Sequence, residues 1–327
     1  MPMPNLARLS CALLVGALFM LPSLRAAPAA IAPRPALMAP RAASSLMLDV
    51  AQVGSGYVAV GERGQILRSA DGKKWQQVPV PVRAALTAIS FVDARNGWAV
   101  GHDAVILSTR NGGASWALQQ FEPEIEKPLL DVLFIDGRRG FAVGAFGLFL
   151  HTVDGGASWS PVNAPVVDED ELNLHAIVRL GNDDLLIVGE QGRLLLSTDA
   201  GRSWSKQVSP MEATEFAAAA YGSSGALICG LRGQAWLSKA VRDGGWQAIS
   251  TGSGQALHAC AVFGRSQALL AGAEGTVLLA DLARRQAQRL KSPAAGTWSA
   301  IAVGDGSGAA VLAGERGLHL LKRPSGS

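Results

Sequence analysis

Residues Gly189 to Trp204 read GEQGRLLLSTDAGRSW. The first four residues form the pattern G-x-x-G between two apolar runs, Leu185–Val188 and Leu194–Leu196. Because glycine readily adopts the positive φ angles that tight turns need, this pattern predicts a β-hairpin. We therefore expect the G-x-x-G turn to join two neighbouring strands of one sheet.

The second half of this stretch, Ser197 to Trp204, fits the motif S/T-x-D-x-G-x-S/T-W, which is called the Asp-box. The side chains of Ser197 and Asp199 can accept hydrogen bonds from backbone N–H groups of the following turn, and Gly201 allows the bend. The matching positions of earlier copies carry Asp71, Asn111 and Asp154. We expect all four Asp-box residues to be structural, because turn amides left unpaired would cost about 1–3 kcal/mol each.

The G-x-x-G turn recurs along the chain. Complete copies occur at Gly61/Gly64, Gly144/Gly147, Gly189/Gly192, Gly230/Gly233, Gly272/Gly275 and Gly314/Gly317, and a further copy begins at Gly101 with Ala104 in the last place. The first glycines lie 40, 43, 45, 41, 42 and 42 residues apart. Seven units of this length, each with about four short strands, predict an all-β fold, a seven-bladed β-propeller with four-stranded blades.

The two ends of the array indicate how the ring closes. The seventh unit stops shortly after Gly317, before a fourth strand, and an unclosed ring would leave an unpaired strand edge. The Ala/Pro-rich segment 30–45 precedes the propeller, which we place at 46–327. We predict that this lead-in supplies the missing strand and joins the last blade.

Residues 1–29 are predicted to be a signal peptide. Arg8 supplies the positive start, Cys11 to Leu21 the apolar run, and Ala27-Pro28-Ala29 a small-residue cleavage site. The formal charge of +3 then falls to about +1 after cleavage. We expect a soluble, exported, periplasmic monomer without nucleic-acid partners or stable membrane insertion.

Residues that usually carry catalysis or bind metals are sparse. The five histidines lack H-x-x-x-H and H-E-x-x-H spacing. His175 and His258 follow the opening leucine of their units, so they either line the central channel or take part in a zinc site. Cys229 and Cys260 either form a disulfide or remain buried thiols. We predict no catalytic residue, cofactor or metal.

The face that carries the G-x-x-G turns is the predicted partner-binding surface. Its turns contribute Arg63, Arg232, Arg316, Glu62, Glu190 and Glu315. The loops between units add Glu122, Glu124, Glu126, Asp168, Glu169, Asp170, Glu171, Glu212 and Glu215. The face should be acidic around units two to five and basic where units one and seven meet, a polarity that orients a protein partner. The alternative is that these are ordinary solvated loop charges.

The turn and the Asp-box occur together in Val60–Trp75 and in Val188–Trp204. This combination resembles the photosystem II stability/assembly factor-like family of Asp-box (BNR-repeat) propellers. The resemblance implies a seven-bladed propeller of the lumen or periplasm that binds a membrane-complex subunit and does not catalyse a reaction. It also implies an arginine-rich face, to which Arg63, Arg232 and Arg316 would correspond. Since several turns lack arginine, the partner is a photosystem subunit or a subunit of another membrane complex.

Two other functions remain open from the sequence. Sialidase-like glycoside hydrolases also carry Asp-boxes, but their site resembles a set of three axial arginines, a nucleophilic tyrosine and a carboxylic acid. Tyr57 and Tyr221, the two tyrosines, are both predicted at a peripheral turn just after a first strand. A sugar-binding propeller would use Phe146 or Trp236 for stacking, although core packing explains these rings equally well.

Overall fold

The computed structural model describes residues 31–168, 170–181, 183–304 and 309–322. The predicted signal peptide at 1–29 and Glu169 of the acidic loops lie outside this part of the chain. The unit that begins at Pro33 contains seven antiparallel sheets, six with four strands and one with three strands among the described residues. The predicted seven-bladed β-propeller is confirmed.

Every blade is a meander whose strands follow one another in chain order. Blades one to four consist of β1 (Met47–Val53), β2 (Gly56–Gly61), β3 (Ile66–Ser69) and β4 (Gln76–Val78); β5 (Leu86–Phe91), β6 (Gly97–Gly101), β7 (Ile106–Thr109) and β8 (Ala117–Gln120); β9 (Leu129–Phe134), β10 (Gly140–Gly144), β11 (Phe149–Thr152) and β12 (Ser160–Pro161); and β13 (Leu174–Arg179), β14 (Leu185–Gly189), β15 (Leu194–Ser197) and β16 (Ser205–Lys206). Blades five to seven consist of β17 (Glu215–Tyr221), β18 (Gly225–Gly230), β19 (Ala235–Ser238) and β20 (Gln247–Ala248); β21 (Leu257–Phe263), β22 (Gln267–Gly272), β23 (Val277–Asp281) and β24 (Gln286–Arg289); and β25 (Trp298–Val303), β26 (Ala309–Gly314) and β27 (Gly317–Lys322).

Among the described residues, helical structure is confined to single turns. One α-helical turn spans Pro165–Asp168 in the loop between blades three and four. The 3-10 turns span Ala42–Ser44, Glu62–Gly64, His102–Ala104, Pro123–Ile125, Ala145–Gly147, Glu190–Gly192, Leu231–Gly233, Val241–Asp243 and Ala273–Gly275. Six of these nine are the G-x-x-G turns or their Gly101 variant, so the repeat that identified the fold is also its most regular turn.

The first strand of each blade lies on the inside of the ring. β1 contacts β5, and the same relation continues through β9, β13, β17, β21 and β25, which contacts β1 again. Each of these seven strands carries a β-bulge after its first residue, as between Met47 and Asp49. Because a bulge bends a strand and redirects one side chain, the repeated bulge gives each blade one extra residue near the axis.

The hydrophobic core lies between neighbouring blades. Every residue of the second strands β6, β10 and β14 is buried, whereas the outer strands β12 and β16 are exposed. One cluster combines Val60 of blade one with Leu107 of blade two. Since burying an aliphatic side chain contributes about 1.5–3 kcal/mol, each blade depends on its neighbours for stability.

The two glycines of the G-x-x-G turn serve different purposes, which corrects the prediction that both supply positive φ. Gly61 is extended, with φ of −168°, and a Cβ there would lie 2.3 Å from the Leu46 carbonyl oxygen. Glycine is therefore needed at the first place because two backbones approach closely. Positive φ occurs at Arg63 (56°) and at Gly64 (71°), so the last two residues make the turn.

The lead-in closes the ring without forming the predicted strand. Within the described residues, blade seven has three strands, and residues 31–45 contain only the 3-10 turn Ala42–Ser44, which contacts β27. A Cβ on Gly317 would lie 2.0 Å from the Ala43 carbonyl oxygen, just as a Cβ on Gly64 would lie 2.1 Å from the Val82 carbonyl oxygen. Ala43 thus occupies the place that an inter-blade loop occupies elsewhere in the ring.

The earlier part of the lead-in lies along the outer edge of blade one. The backbone N–H of Ala36 donates to the Val80 carbonyl (3.0 Å), and Gln77 Nε2 donates to the Leu37 carbonyl (2.9 Å). Arg83 also donates to the Pro35 carbonyl. The segment therefore joins blades one and seven as coil. It forms no strand there because its prolines have no backbone N–H group to donate to a neighbouring strand.

Candidate functional site

The Asp-box side chains bond within their own turns. Asp154 Oδ1 accepts a hydrogen bond from the Ser158 N–H (3.0 Å), and Thr152 Oγ1 accepts one from the Gly156 N–H (2.9 Å). Hydrogen bonds from the Ser158 hydroxyl, the Ser158 N–H and the Thr152 hydroxyl hold the pKa of the Asp154 carboxyl far below its usual range. The equivalent acceptors Asp71, Asn111 and Asp199 bond to the N–H groups of Lys73 and Lys74, of Ser115 and of Ser203.

The pKa of Asp199 shows the balance of forces in these turns. Partial burial raises it, but bonds from Ser203 and Ser197 outweigh burial and lower it to about 2. The carboxylate is therefore ionised at neutral pH, and its oxygens are already hydrogen-bonded within its own turn. Trp204 comes just before the outer strand β16 rather than within it.

Each Asp-box turn packs against the preceding blade. A Cβ on Gly201 would lie 2.1 Å from Phe141 of blade three, and a Cβ on Gly113 would lie 3.1 Å from Val58 of blade one. In blade one, a Cβ on Gly72 would lie 2.9 Å from Val311 of blade seven. The Asp-box turns thus pack into the interfaces between neighbouring blades, including the interface of blades one and seven, where the ring closes.

The face formed by the G-x-x-G turns and the inter-blade loops, here called the turn face, carries all three predicted arginines. Arg63 and Arg232 occupy the left-handed position of their turns, with φ of 56° and 57°, and both side chains are exposed. Arg316 is exposed at the tip of the β26–β27 hairpin. Arg63 lies 3.9 Å from Glu62, a surface pair that contributes about 1 kcal/mol at most.

The predicted glutamates lie on the turn face but have partners of their own. The Glu190 carboxylate accepts bonds from the N–H and the side-chain amide of Asn173, both 3.0 Å long. Bonds from Thr297 lower the pKa of the Glu315 carboxyl. Glu190 and Glu315 therefore each hold the loop that enters their own blade, whereas Glu62 pairs with the neighbouring Arg63.

Glu215, predicted to be an exposed loop acid, is fully buried as the first residue of β17. It accepts a hydrogen bond from the Ser209 hydroxyl, and burial raises the pKa of its carboxyl to about 7. Leucine begins the first strand of blades two, three, four and six, so Glu215 replaces an apolar residue. The other acidic loops supply exposed carboxylates at Glu122, Glu124, Glu126, Asp170, Glu171 and Glu212.

His175, Phe216 and His258 are the bulge residues of three successive first strands. The Phe216 ring lies between the two imidazoles, with centroid distances of 5.2 Å and 4.8 Å. Burial lowers the pKa of both histidines. In the part of the chain that the structure describes, no group of three or more His, Cys, Asp or Glu side chains could hold a metal ion.

Two buried aspartates that the sequence reasoning missed connect inner strands. Asp49 accepts a hydrogen bond from the Ile89 N–H, and Asp131 accepts one from the Ile177 N–H, both 2.8 Å long. Burial raises the pKa of Asp49 to about 6 and that of Asp131 to about 7. In the sequence, these residues are marked by a single aspartate within an otherwise apolar strand, in MLDV at 47–50 and LLDV at 129–132.

The remaining predicted side chains do not converge on one site. Cys229 and Cys260 are free thiols on blades five and six that lie against each other, and a hydrogen bond from Cys260 together with burial raises the pKa of the Cys229 thiol. Tyr57 is buried within β2 rather than placed at a turn, and Tyr221 ends β17. Phe146 is 53% exposed on the turn face, whereas Trp236 is half-buried in β19 and packs against a core cluster.

Across the described residues, we find no helix with the length and apolar character needed to cross a membrane.

Comparisons with known proteins give matches in the part of the chain that carries the repeats. The family described as "Photosynthesis system II assembly factor YCF48" matches residues 67–127 and 117–212. The chain is 36% identical over 77 residues to the photosystem II stability/assembly factor HCF136 of Cyanidioschyzon merolae, covering 23% of this chain. It is 30% identical over 60 residues to the photosystem II assembly protein Ycf48 of Thermosynechococcus vestitus, covering 18% of this chain. Each alignment spans 17% of the relative's length.

Solved structures of low identity share the fold. A structure titled "YCF48 bound to D1 peptide" has a TM-score of 0.70 at 16% identity and covers 89% of this chain and 100% of that one. A GH74 xyloglucanase from Xanthomonas campestris has a TM-score of 0.66 at 16% identity and covers 86% of this chain and 52% of that one. The resemblance predicted from the repeats is thereby confirmed: over residues 67–212 the chain is similar to the photosystem II stability/assembly factor-like family of Asp-box propellers.

Proposed function

We propose that this chain is an exported, non-catalytic assembly factor that binds a protein subunit of a membrane complex through its turn face. The relatives named above are photosystem II assembly factors, and one propeller of this fold is titled as bound to a D1 peptide. The periplasm is the proposed compartment, and a monomer is the proposed working form.

The observation that carries this proposal is the placement of the arginines. Arg232 and Arg316 are exposed, and within the described ranges no carboxylate lies at ion-pair distance from either. The turn geometry does not require arginine, because the same left-handed position holds Asp103, Phe146, Gln191 and Glu274 in other blades. Unpaired guanidinium groups held on rigid turns favour an acidic protein segment as the partner.

The absence of a predicted nucleophile agrees with a binding role. The Asp-box carboxylates, which look most like catalytic groups in the sequence, bond to their own turn amides. Tyr57, one of the two candidate tyrosines, is covered by the Trp75 ring at a centroid distance of 6.5 Å. These contacts support binding over sialidase-like hydrolysis.

A charge-reversal experiment tests the proposed surface. The triple variant Arg63→Glu, Arg232→Glu, Arg316→Glu is compared with a control triple variant, Arg110→Glu, Arg138→Glu, Arg265→Glu, whose residues are exposed in hairpins at the opposite ends of the strands. Both variants change the net charge equally. Binding is measured by anisotropy of a labelled D1 peptide and by pull-down from solubilised membranes.

We expect the turn-face variant to lose the captured membrane subunit and the control variant to retain it. A subunit that both variants retain equally would show that the turn face is not the binding surface. Turnover of a fluorogenic sialoside by the wild-type protein would contradict the non-catalytic role.

A further inference from the structure

A cleft of about 520 Å³ opens between blades one and two, at the strand ends opposite the turn face. Blade one contributes Val53, Tyr57, Arg68 and Trp75, and blade two contributes Asn111. The cleft is of the size that proteins use for small ligands, and its lining combines aromatic rings with a few polar groups. It is separate from the surface assigned above to the protein partner.

Blade one departs from the pattern of its neighbours beside the cleft. In blade two, Phe91 pairs with Gly97, and its ring meets Trp116 edge-on at 6.2 Å; in blade three, Phe134 and Trp159 repeat this contact at 5.7 Å. Blade one has Gln52 at the position of these phenylalanines, paired with Tyr57 rather than with a glycine. The ring beside Trp75 therefore comes from the second strand, where Tyr57 lies 6.5 Å away in a tilted arrangement.

The Asp-box tryptophan of blade one is accessible at the cleft. Trp75 is half-buried, whereas Trp116 is only 8% exposed. Trp75 Nε1 donates to the Gly72 carbonyl (3.3 Å), so its polar atom is occupied and the ring presents an apolar face. An exposed indole face beside hydroxyl and amide groups suits the apolar side of a sugar ring.

The charges at the cleft are positive and unpaired. Arg68 and Lys74 are exposed, and no carboxylate of residues 31–168, 170–181, 183–304 or 309–322 lies within ion-pair distance of either side chain. Asp71, the nearby acid, accepts bonds from the N–H groups of Lys73 and Lys74 and from the Ser69 hydroxyl. A guanidinium and an ammonium without an internal partner favour a carboxylate on the ligand.

An extended peptide is less suited to this place than a small ligand. Peptides commonly bind a sheet by adding a strand to its edge. The edge of blade one is already covered by the lead-in, through the Ala36–Val80 and Gln77–Leu37 hydrogen bonds.

From these contacts we infer that the cleft between blades one and two binds a short carboxylated oligosaccharide, with Arg68 and Lys74 on the carboxylate and Trp75 against a sugar ring. This site is independent of the proposed assembly role, because it lies at the opposite strand ends and shares no residue with the turn face.

Isothermal titration with tetragalacturonic acid tests the site, and neutral maltotetraose and a hexaglutamate peptide serve as comparison ligands. The Arg68→Gln variant is expected to weaken tetragalacturonate binding by about tenfold or more, since a charge-assisted bond is lost. Val53→Phe, which adds a ring to a side chain that lines the cleft, is expected to abolish binding at an unchanged melting temperature. Arg110→Gln, an exposed arginine of the blade-two hairpin that does not line the cleft, is the control and should bind as the wild type does.

The results separate the site from its alternatives. No binding of tetragalacturonate, or equal binding of the neutral sugar, would overturn the inference. Hexaglutamate binding as tight as that of the uronate would show a general acidic-peptide surface and would also overturn it. Because Arg68 is exposed, Arg68→Gln keeps the test decisive even if Val53→Phe fails to fold. Loss of D1-peptide or membrane-subunit binding in the turn-face variant, with uronate binding intact, would distinguish the two functions.

Discussion

The carboxylate of Asp49 accepts a hydrogen bond from the backbone N–H of Ile89, with Oδ2 and N 2.8 Å apart, and so connects the innermost strands of blades one and two. Asp131 and Ile177 make the same connection between blades three and four. Both carboxyl groups are buried near the axis of the ring. A change in their protonation therefore affects the contacts between neighbouring blades.

The stability that Asp49 and Asp131 contribute should fall as the pH rises through the weakly acidic range. Burial raises the pKa of Asp49 to about 6 and that of Asp131 to about 7, whereas both lie near 3.9 in an unfolded chain. These two groups therefore bind more protons in the folded state than in the unfolded state between about pH 4 and about pH 7, and their contribution to the free energy of unfolding decreases across this window, whereas the lowered pKa values of His175 and His258 act in the opposite direction. Urea unfolding at about pH 5 and about pH 8 measures the difference.

The double variant Asp49→Asn, Asp131→Asn removes the titration and keeps one acceptor oxygen for the N–H groups of Ile89 and Ile177, while the second acceptor, which bonds the N–H of the following residue, is lost. The unfolding free energy of the variant minus that of the wild type should increase from about pH 5 to about pH 8. A difference that stays constant over this range would contradict the assignment of these raised pKa values.

Replacing Glu215 by leucine should stabilise the protein. Glu215 is buried where blades two, three, four and six have leucine, and its raised pKa shows that ionisation there is unfavourable. The substitution removes a buried ionisable group and should add about 1–4 kcal/mol at about pH 8, with a smaller gain at about pH 5. Thermal unfolding at both pH values provides the measurement, and a variant less stable than the wild type at the higher pH would disprove it.

The Asp-box of blade three should depend on its buried hydroxyl more than on its exposed one. Thr152→Val removes the acceptor of the Gly156 N–H, a buried bond, and should cost about 1–3 kcal/mol. Ser158→Ala removes the exposed hydroxyl that donates to Asp154 and serves as the matched control. Chemical denaturation of the two variants should show a clearly larger loss for Thr152→Val, and equal losses would refute the distinction.

The first glycine of a G-x-x-G turn should resist substitution although its φ is ordinary. A Cβ on Gly144 would lie 2.3 Å from the Pro128 carbonyl oxygen, so Gly144→Ala should cost about 1–3 kcal/mol through steric overlap. Gly137 of the same blade has no atom within 4 Å of an added Cβ, and Gly137→Ala should change stability by about 0.5 kcal/mol or less. Comparison of the two melting temperatures tests the close approach, and similar values would argue against it.

Sequence reasoning was most successful where a pattern repeats. Six G-x-x-G copies and the Gly101 variant, at nearly constant spacing, predict the number of blades, because each copy marks one hairpin between the second and third strands. The sequence is least informative for single residues in apolar runs. Glu215 is predicted as a loop acid because it follows the loop residues Glu212 and Thr214, yet it begins a buried strand. The contacts of Asp49 and Asp131 cannot be predicted from the sequence, because their partners, Ile89 and Ile177, lie one blade away.

By itself, the sequence determined the seven-bladed architecture, the positions of the inner strands and the set of charged residues on one face, because these follow from local turn chemistry repeated along the chain. Only the tertiary structure decided how the ring closes, with Ala43 against Gly317 and Gly72 against Val311, and where a cleft opens beside Val53. These features depend on contacts between residues of different blades. The distance between such residues depends on how the blades pack around the axis and cannot be read from their spacing along the chain.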